Sequence, residues 1–408
     1  MSVHDAPSAA PVQRHLPMDE LRGLFPGAAA QTYLDVSVCG LMPRPVREAV
    51  DRHLDARVSG RVDKQELHAT VEQARGLLAD LIGGQHDEVA ITKNVSEALN
   101  LFAASLPWER GDNVVLCPDL EHPNNVYLWY NLRALRGIEV RAVAADGGRI
   151  PVERLVDRID ARTRLVTVPH ISFSPGFITD VTELSREAHA RGALVLIDAA
   201  QSVGAIRTDV GSLGVDALAV ATQKCLLSVY GFGFLWIRRE LADGLVPCHV
   251  ARYGIDLGRD AHETALGDGT LRYQPGARRF DLGNYNYLGA VAAEASLRLI
   301  HAIGVQRIER HVRGLAARLA SGLLALGLPV AGGAPGPRLA HIVAVGTSGG
   351  GRHDTADDPA MTALHEFLTA NDVRLSIRRG VLRFSMALYN NDGDVDRVIG
   401  LVRDWRAR

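Results

Sequence analysis

Two residue types in this chain stand where chemistry is easiest to build. The apolar run Ala193 to Ile197 ends in a single acid, Asp198. A second apolar run, Ala217 to Ala221, leads within three residues to Lys224. Unbroken apolar runs of this length read as strands buried on both faces. Open α/β sheets bind ligands beyond the carboxyl ends of such strands. A surface acid and a surface lysine in loops is the simpler reading of each residue alone. The lysine census opposes it: the chain relies on arginine, and its only lysines are Lys64, Lys93 and Lys224. A lysine kept beside a buried strand points to a task arginine cannot perform, since lysine loses its proton and forms Schiff bases.

Other stretches could bind anions or move protons. Glu88 to Thr92 reads as a short strand, and Lys93-Asn94-Val95-Ser96-Glu97 opens a helix. A helix start presents unpaired N–H groups and the positive end of the helix dipole to an anion. On the residues alone, Ser96 reads more simply as an N-cap. After the strand Asn113 to Leu116 comes the pair Glu121-His122; a loop histidine of this kind is ordinarily just solvated. Arg383, inside the strand Val381 to Met386, could grip a carboxylate through its planar fork, although a strand arginine is more often a surface residue.

Taken together these residues resemble the class V aminotransferase family of pyridoxal-phosphate enzymes. The resemblance rests on Asp198-Ala199-Ala200-Gln201, Thr222-Gln223-Lys224 and Tyr230-Gly231-Phe232-Gly233, and runs from about Tyr33 to the C-terminus. The family includes cysteine desulfurases, selenocysteine lyases, kynureninase and isopenicillin N epimerase-like proteins. The resemblance implies pyridoxal 5'-phosphate as cofactor. Lys224 would then carry it as a Schiff base and act as the base at the substrate Cα, Asp198 would hold the proton on the ring nitrogen, and His122 would stack on the ring and relay protons. Gln201 would bond the ring 3-oxygen, and Val95 and Ser96 the phosphate. The family usually places a serine three residues before the lysine; Ala221 stands there, so Thr222 is expected to substitute, with Gln223 replacing the usual histidine or tyrosine. Asn284, in Arg278 to Asn286, matches a residue that reaches the partner subunit's phosphate, which implies a homodimer with shared sites; a loop capping the next helix is the alternative. Arg383-Phe384-Ser385-Met386-Ala387-Leu388-Tyr389-Asn390 matches the C-terminal motif whose arginine holds the substrate carboxylate. Arg378 and Arg379 lie close enough to read a second anionic group. Tyr33 to Pro43 resembles a segment lining the substrate side, which makes Ser37 and Cys39 candidates there.

Two departures bear on the reaction. Phe173, in His170 to Gly176, stands where desulfurases carry an asparagine. Desulfurases also carry a nucleophilic cysteine between a glycine and the carboxylate-binding arginine; here only Val381 and Leu382 separate Gly380 from Arg383. Persulfide chemistry requires that thiolate. The expected function is therefore formation of a covalent link between an amino-acid substrate and the cofactor, followed by loss of the Cα proton. The expected outcome is C–S lyase β-elimination on a cysteine-derived conjugate without a persulfide cysteine. An aminotransferase or epimerase is the alternative, and a catalytically inactive family member a remote one.

The elements that position these residues alternate between strand and helix up to about residue 285, which implies a mainly parallel sheet. The fold class expected is α/β of pyridoxal-phosphate fold type I: a seven-stranded sheet with helices on both faces plus a small C-terminal α+β domain. Residues 1–30 read as an N-terminal arm, mobile at least through Arg22. Residues 31–285 form the large domain and 286–408 the small one. The 408 residues are 47% hydrophobic with net charge −2, ordinary for a globular enzyme and without an electrostatic case for nucleic acid or an anionic membrane. No apolar run approaches the roughly 20 residues of a membrane span. Four scattered cysteines, Cys39, Cys117, Cys225 and Cys248, argue against a metal site or disulfide framework and suit the cytoplasm. No GxGxxG follows the first strand, which sets aside a nicotinamide dehydrogenase.

Overall fold

The runs that carry Asp198 and Lys224 become strands because neither face can be left in water. In the computed structural model, which describes residues 18–258, 261–262, 264–349 and 355–408, they belong to one seven-stranded sheet. Its strands are β1 (Val89–Thr92), β2 (Asn113–Leu116), β3 (Glu139–Ala142), β4 (Thr163–Pro169), β5 (Leu194–Asp198), β6 (Ala217–Ala221) and β7 (Gly233–Ile237), ordered β1-β7-β6-β5-β4-β2-β3. The pairs β3/β2, β2/β4, β4/β5 and β5/β6 are parallel, and β7 runs antiparallel to both neighbours. Side chains of β5 alternate between two cores: Val195 and Ile197 join one, Leu194 and Leu196 the other. The register sets Pro169 opposite Asp198 and Asp198 opposite Ala219, so the acid lies at the carboxyl edge.

Helices cover both faces. Among them are α1 (Arg44–Val58), α2 (Lys64–Ile82), α3 (Val95–Ser105), α4 (Asn124–Arg136), α5 (Val181–His189) and α6 (Tyr287–Ile303). Trp129 of α4 and Phe102 of α3 pack on one face; Leu78 of α2, Leu184 of α5 and Leu297 of α6 pack on the other. The chain has the pyridoxal-phosphate fold type I architecture, as expected. A smaller layer follows: α7 (Val305–Ala325), β8 (Ile342–Val345), α8 (Pro359–Ala370), β9 (Ser376–Arg378), β10 (Val381–Ser385) and α9 (Asp392–Arg406), with an antiparallel sheet ordered β9-β10-β8.

Two expectations need correction here. Residues 1–17 lie outside the described part, but from Met18 the chain is no loose arm. Met18–Arg22 and Pro26–Ala30 are helical, Leu21 and Phe25 are buried, and Arg22 binds Asp394 at 2.6 Å. The apolar side chains of this stretch are covered by the small layer, which a composition rich in alanine and proline did not reveal. Second, Thr32–Tyr33 pairs in parallel with Val373–Arg374, and Asp35 bridges Ser385, so the chain just after residue 31 is stitched to the small layer. Residues 373–378 form two short strands: Val373–Arg374 joins that N-terminal pair, while Ser376–Arg378 joins β10.

Candidate active site

The loop after β6 is tied back on itself. The Thr222 hydroxyl lies 2.8 Å from the Val229 carbonyl and 2.7 Å from that of Phe232, and Ser228 N–H donates to the Thr222 carbonyl. A hydroxyl has one proton, and here it is committed to a main-chain acceptor. In this structure the residue closes the loop that presents Lys224. The segment before α1 lies directly on this loop. Gly40 N–H donates to the Gln223 carbonyl, and a Cβ at Gly40 would stand 2.5 Å from the Lys224 carbonyl oxygen, so only glycine fits. The Gln223 side chain is half-buried.

Asp198 is buried, and its Oδ1 accepts the Ala200 N–H at 2.9 Å. Burial, seconded by the charge of Arg383, lowers the Lys224 pKa below the ordinary lysine range, while Asp198 opposes the shift. Burial also lowers His122, and Lys224 adds to the effect. Asp198, Arg379 and Arg383 act on His122 as well, so groups from four separate stretches of the chain lie within electrostatic reach of this ring. His122 Nδ1 accepts the Asn124 N–H at 3.2 Å, which leaves Nε2 as the donor of the neutral ring. The His122 ring meets the Phe173 ring edge-on, with centroids 5.5 Å apart.

At the start of α3 the cap is Asn94, whose side chain accepts the Glu97 N–H at 2.9 Å. Ser96 is not the cap. Its hydroxyl accepts from Asn124 Nδ2 at 2.6 Å, which draws the starts of α3 and α4 together. The first-turn amides of Val95 and Ser96 remain outside the helical ladder.

Arg383, expected to hold a carboxylate, belongs to the small layer. Arg383 is 2% exposed. Its Nη1 donates to the Phe173 carbonyl at 2.8 Å, and its Nη2 lies 3.1 Å from Ser376 Oγ and 3.8 Å from Asp35 Oδ1. Ser376 Oγ donates to Asp35 Oδ1 at 2.9 Å. Burial raises the Asp35 pKa against the pull of Arg383. Ser37 N–H donates to Ser385 Oγ, and the Ser37 carbonyl accepts Gln201 Nε2 at 3.1 Å. Arg378 turns its Nη1 to its neighbour's carbonyl, that of Ile377, and adds to the positive charge around Asp35. Asn284 is exposed.

Three residues of this site escaped the sequence reading. Asp35 and Asn124 looked like loop polars. Glu121 was read only as half of a Glu-His pair, yet it is wholly buried, and neither carboxyl oxygen makes a well-formed hydrogen bond. Burial, then the nearby Asp198 charge, raises its pKa well above the ordinary carboxylate value. A polar residue beside an apolar strand end was the only available signal.

Residues 32–398 match the family model described as Aminotransferase class-V. The chain belongs to the class V aminotransferase family. As a class V enzyme it is 35% identical over 300 residues to a probable cysteine desulfurase of Methanothermobacter thermautotrophicus, covering 72% of each chain. A cysteine desulfurase structure from Thermococcus onnurineus superposes with a TM-score of 0.81 at 27% identity, covering 95% of this chain and 97% of that one. The structure of C-DES with glycine covalently linked to its PLP cofactor gives a TM-score of 0.82 at 22% identity, covering 94% and 99%. Class V enzymes are PLP-dependent, and the residues present fit the cofactor. Gln201 Oε1 and Ser37 Oγ are buried without hydrogen-bond partners at the pocket wall. The Asn124–Ser96 hydrogen bond ties the start of α3 to the segment of His122, on which both Asp198 and Lys224 act.

Proposed function

We propose that this class V enzyme is a pyridoxal-phosphate-dependent C–S lyase acting on S-substituted cysteines by β-elimination. The observation that carries this reading is the hairpin between β9 and β10. Arg378 pairs with Val381, and Arg379 and Gly380 alone make the turn, so no loop bearing a thiol can reach the lysine from that side. The cysteines elsewhere are poor nucleophiles. Burial pushes Cys117 and Cys225 up to about 12 and raises Cys39, the reverse of what a persulfide-forming thiol needs. Cys248 lies at the far end of α3, its sulfur 2.7 Å from the Ala104 carbonyl.

Pyridoxal phosphate, when bound, supplies an electron sink for charge developing at Cα. Asp198 would hold the proton on its ring nitrogen, His122 would lie over the ring, Gln201 would bond the 3-oxygen, and Val95, Ser96 and Gln223 would hold the phosphate, with Asn284 contributing from the partner in a homodimer. Arg383 holds the substrate α-carboxylate, with Ser37 beside it. Lys224, its charged form weakened by burial, takes the Cα proton. The Cβ–S electron pair then departs with sulfur as a thiolate, and hydrolysis of the remaining three-carbon unit gives pyruvate and ammonia. The cytoplasm suits this chemistry, where thiols stay reduced.

Replacing all four cysteines with serine or alanine and supplying S-substituted cysteines tests the reading. Thiol, pyruvate and ammonia should appear in equal amounts at wild-type rate. A persulfide trapped on one cysteine, with activity lost on its removal, would return the enzyme to the desulfurases. Transfer of the amino group to an added 2-oxo acid without thiol release would make it an aminotransferase.

A further inference from the structure

Arg379 occupies a position that its own turn does not favour. It has φ 50° and is followed by Gly380 at φ 80°, the paired left-handed conformations of a tight hairpin turn. Asparagine or aspartate is the usual residue at that first position, and a long side chain there carries a steric cost. Its guanidinium lies 4.9 Å from the centroid of Phe173, whose ring also meets His122 and whose carbonyl receives Arg383. One Nη2 reaches the carbonyls of Pro118 at 3.4 Å and Glu121 at 3.1 Å. Among the described residues no carboxylate lies within ion-pair distance of it. Asp119, the acid that most favours its charge, is exposed and accepts the Ala145 N–H instead. Burial lowers the Arg379 pKa below the ordinary arginine value. A half-buried cation without a counter-anion, beside a pocket that already holds one arginine for a carboxylate, gains from a second anion.

We infer that Arg379 is a specificity residue that reads a second anionic group on the substrate's side chain, so that the favoured substrates are amino acids ending in a carboxylate or similar acid. The inference rests on the reading that Arg383 holds the α-carboxylate. The phenyl ring of Phe173 separates the two guanidinium functions, one engaging its carbonyl and the other its face. The substrate side chain would run past that ring, its acid meeting Arg379 at the turn. Phe173 thereby accounts for an aromatic at a position where an asparagine would draw a polar group back toward the ring hydroxyl.

The matched substrates S-carboxymethylcysteine and its amide, S-carbamidomethylcysteine, differ in one charge at nearly equal size. With holoenzyme, kcat/KM should favour the acid about tenfold or more. Arg379→Gln should bring the ratio close to one, and Arg379→Lys should keep part of it, since a point charge survives while the fork does not. A second measurement needs no turnover: succinate should raise the thermal midpoint of the holoenzyme more than succinamate does, and Arg379→Gln should abolish the difference. If wild type shows no preference, or Gln and Lys lower both substrates alike, Arg379 is only a latch onto the Pro118 and Glu121 carbonyls and the inference fails. It also fails if the preference survives in Arg379→Gln. Loss of thiol release from both substrates in wild type, with the succinate difference intact, would instead overturn the lyase reading and leave the anion site standing.

Discussion

In the proposed reaction Lys224 and Asp198 carry different roles, and those roles separate experimentally. Lys224→Ala should lower turnover by roughly a thousandfold, the scale of losing a positioned acid–base group. Reducing the wild-type holoenzyme with borohydride and mapping peptides should find the cofactor on Lys224; finding it on Lys64 or Lys93 would sink the assignment. Asp198→Asn should keep part of the bound cofactor and lose activity by roughly a hundredfold, because a neutral amide cannot hold a proton on the ring nitrogen. A variant within a few-fold of wild type would refute that role. Glu121 sharpens the point. Burial and the Asp198 charge both raise its pKa, so the two neighbouring carboxyls disfavour being charged together.

At the scale of elements, the helices were the most legible. The 3.6-residue pattern in Glu66 to Ile82 marks α2, and the structure adds only the cap, Asp63, which accepts from Gln65 and Glu66. The parallel strands were legible for the same reason: their apolar runs face two cores. The stretch before residue 31 was not legible, since two five-residue helices are too short to show a period. Its packing leads to a prediction. Phe25 is 1% exposed and lies 5.0 Å from the Tyr389 ring, so Phe25→Ala should cost about 3–5 kcal/mol in denaturant unfolding. A cost below about 0.5 kcal/mol, typical of exposed sites, would mean that this segment is the arm its composition suggested.

Across the whole molecule, two histidines lie where the large sheet meets the small layer. His170 follows β4, with Nδ1 toward Thr208, and burial lowers it to about 4. His341 precedes β8, with Nε2 near Cys225 Sγ; burial and then Arg383 lower it to about 3. Both are neutral in the fold, while in the unfolded chain they take a proton near the ordinary value of 6.5. Unfolded chains therefore bind more protons below that pH, and stability falls as pH drops from about 6.5 toward 4. Each histidine should contribute a loss of about 1.4 kcal/mol per pH unit across that window. Unfolding free energies at pH 7, 6 and 5 should show this slope, reduced by about one histidine's share in His170→Gln. An unchanged slope in that variant would remove His170 from the account.

The sequence by itself determined the acid and the lysine at two strand ends, the helix start at Val95, the arginine Arg383 within its strand and the lack of a cysteine between Gly380 and Arg383. These depend on residue type and on neighbours a few positions away, and local periodicity reports both. Only the tertiary structure decided that Thr222 is committed to its own loop, that Asn94 rather than Ser96 caps α3, that Asp35 and Ser376 hold Arg383, and that Arg379 rather than Arg378 lies over Phe173. Asp35 and Ser376 are 341 positions apart, and Arg383 and Phe173 are 210 apart. Hydrogen bonds across such separations form only after the sheet and the small layer have closed on each other, so no pattern along the chain encodes them.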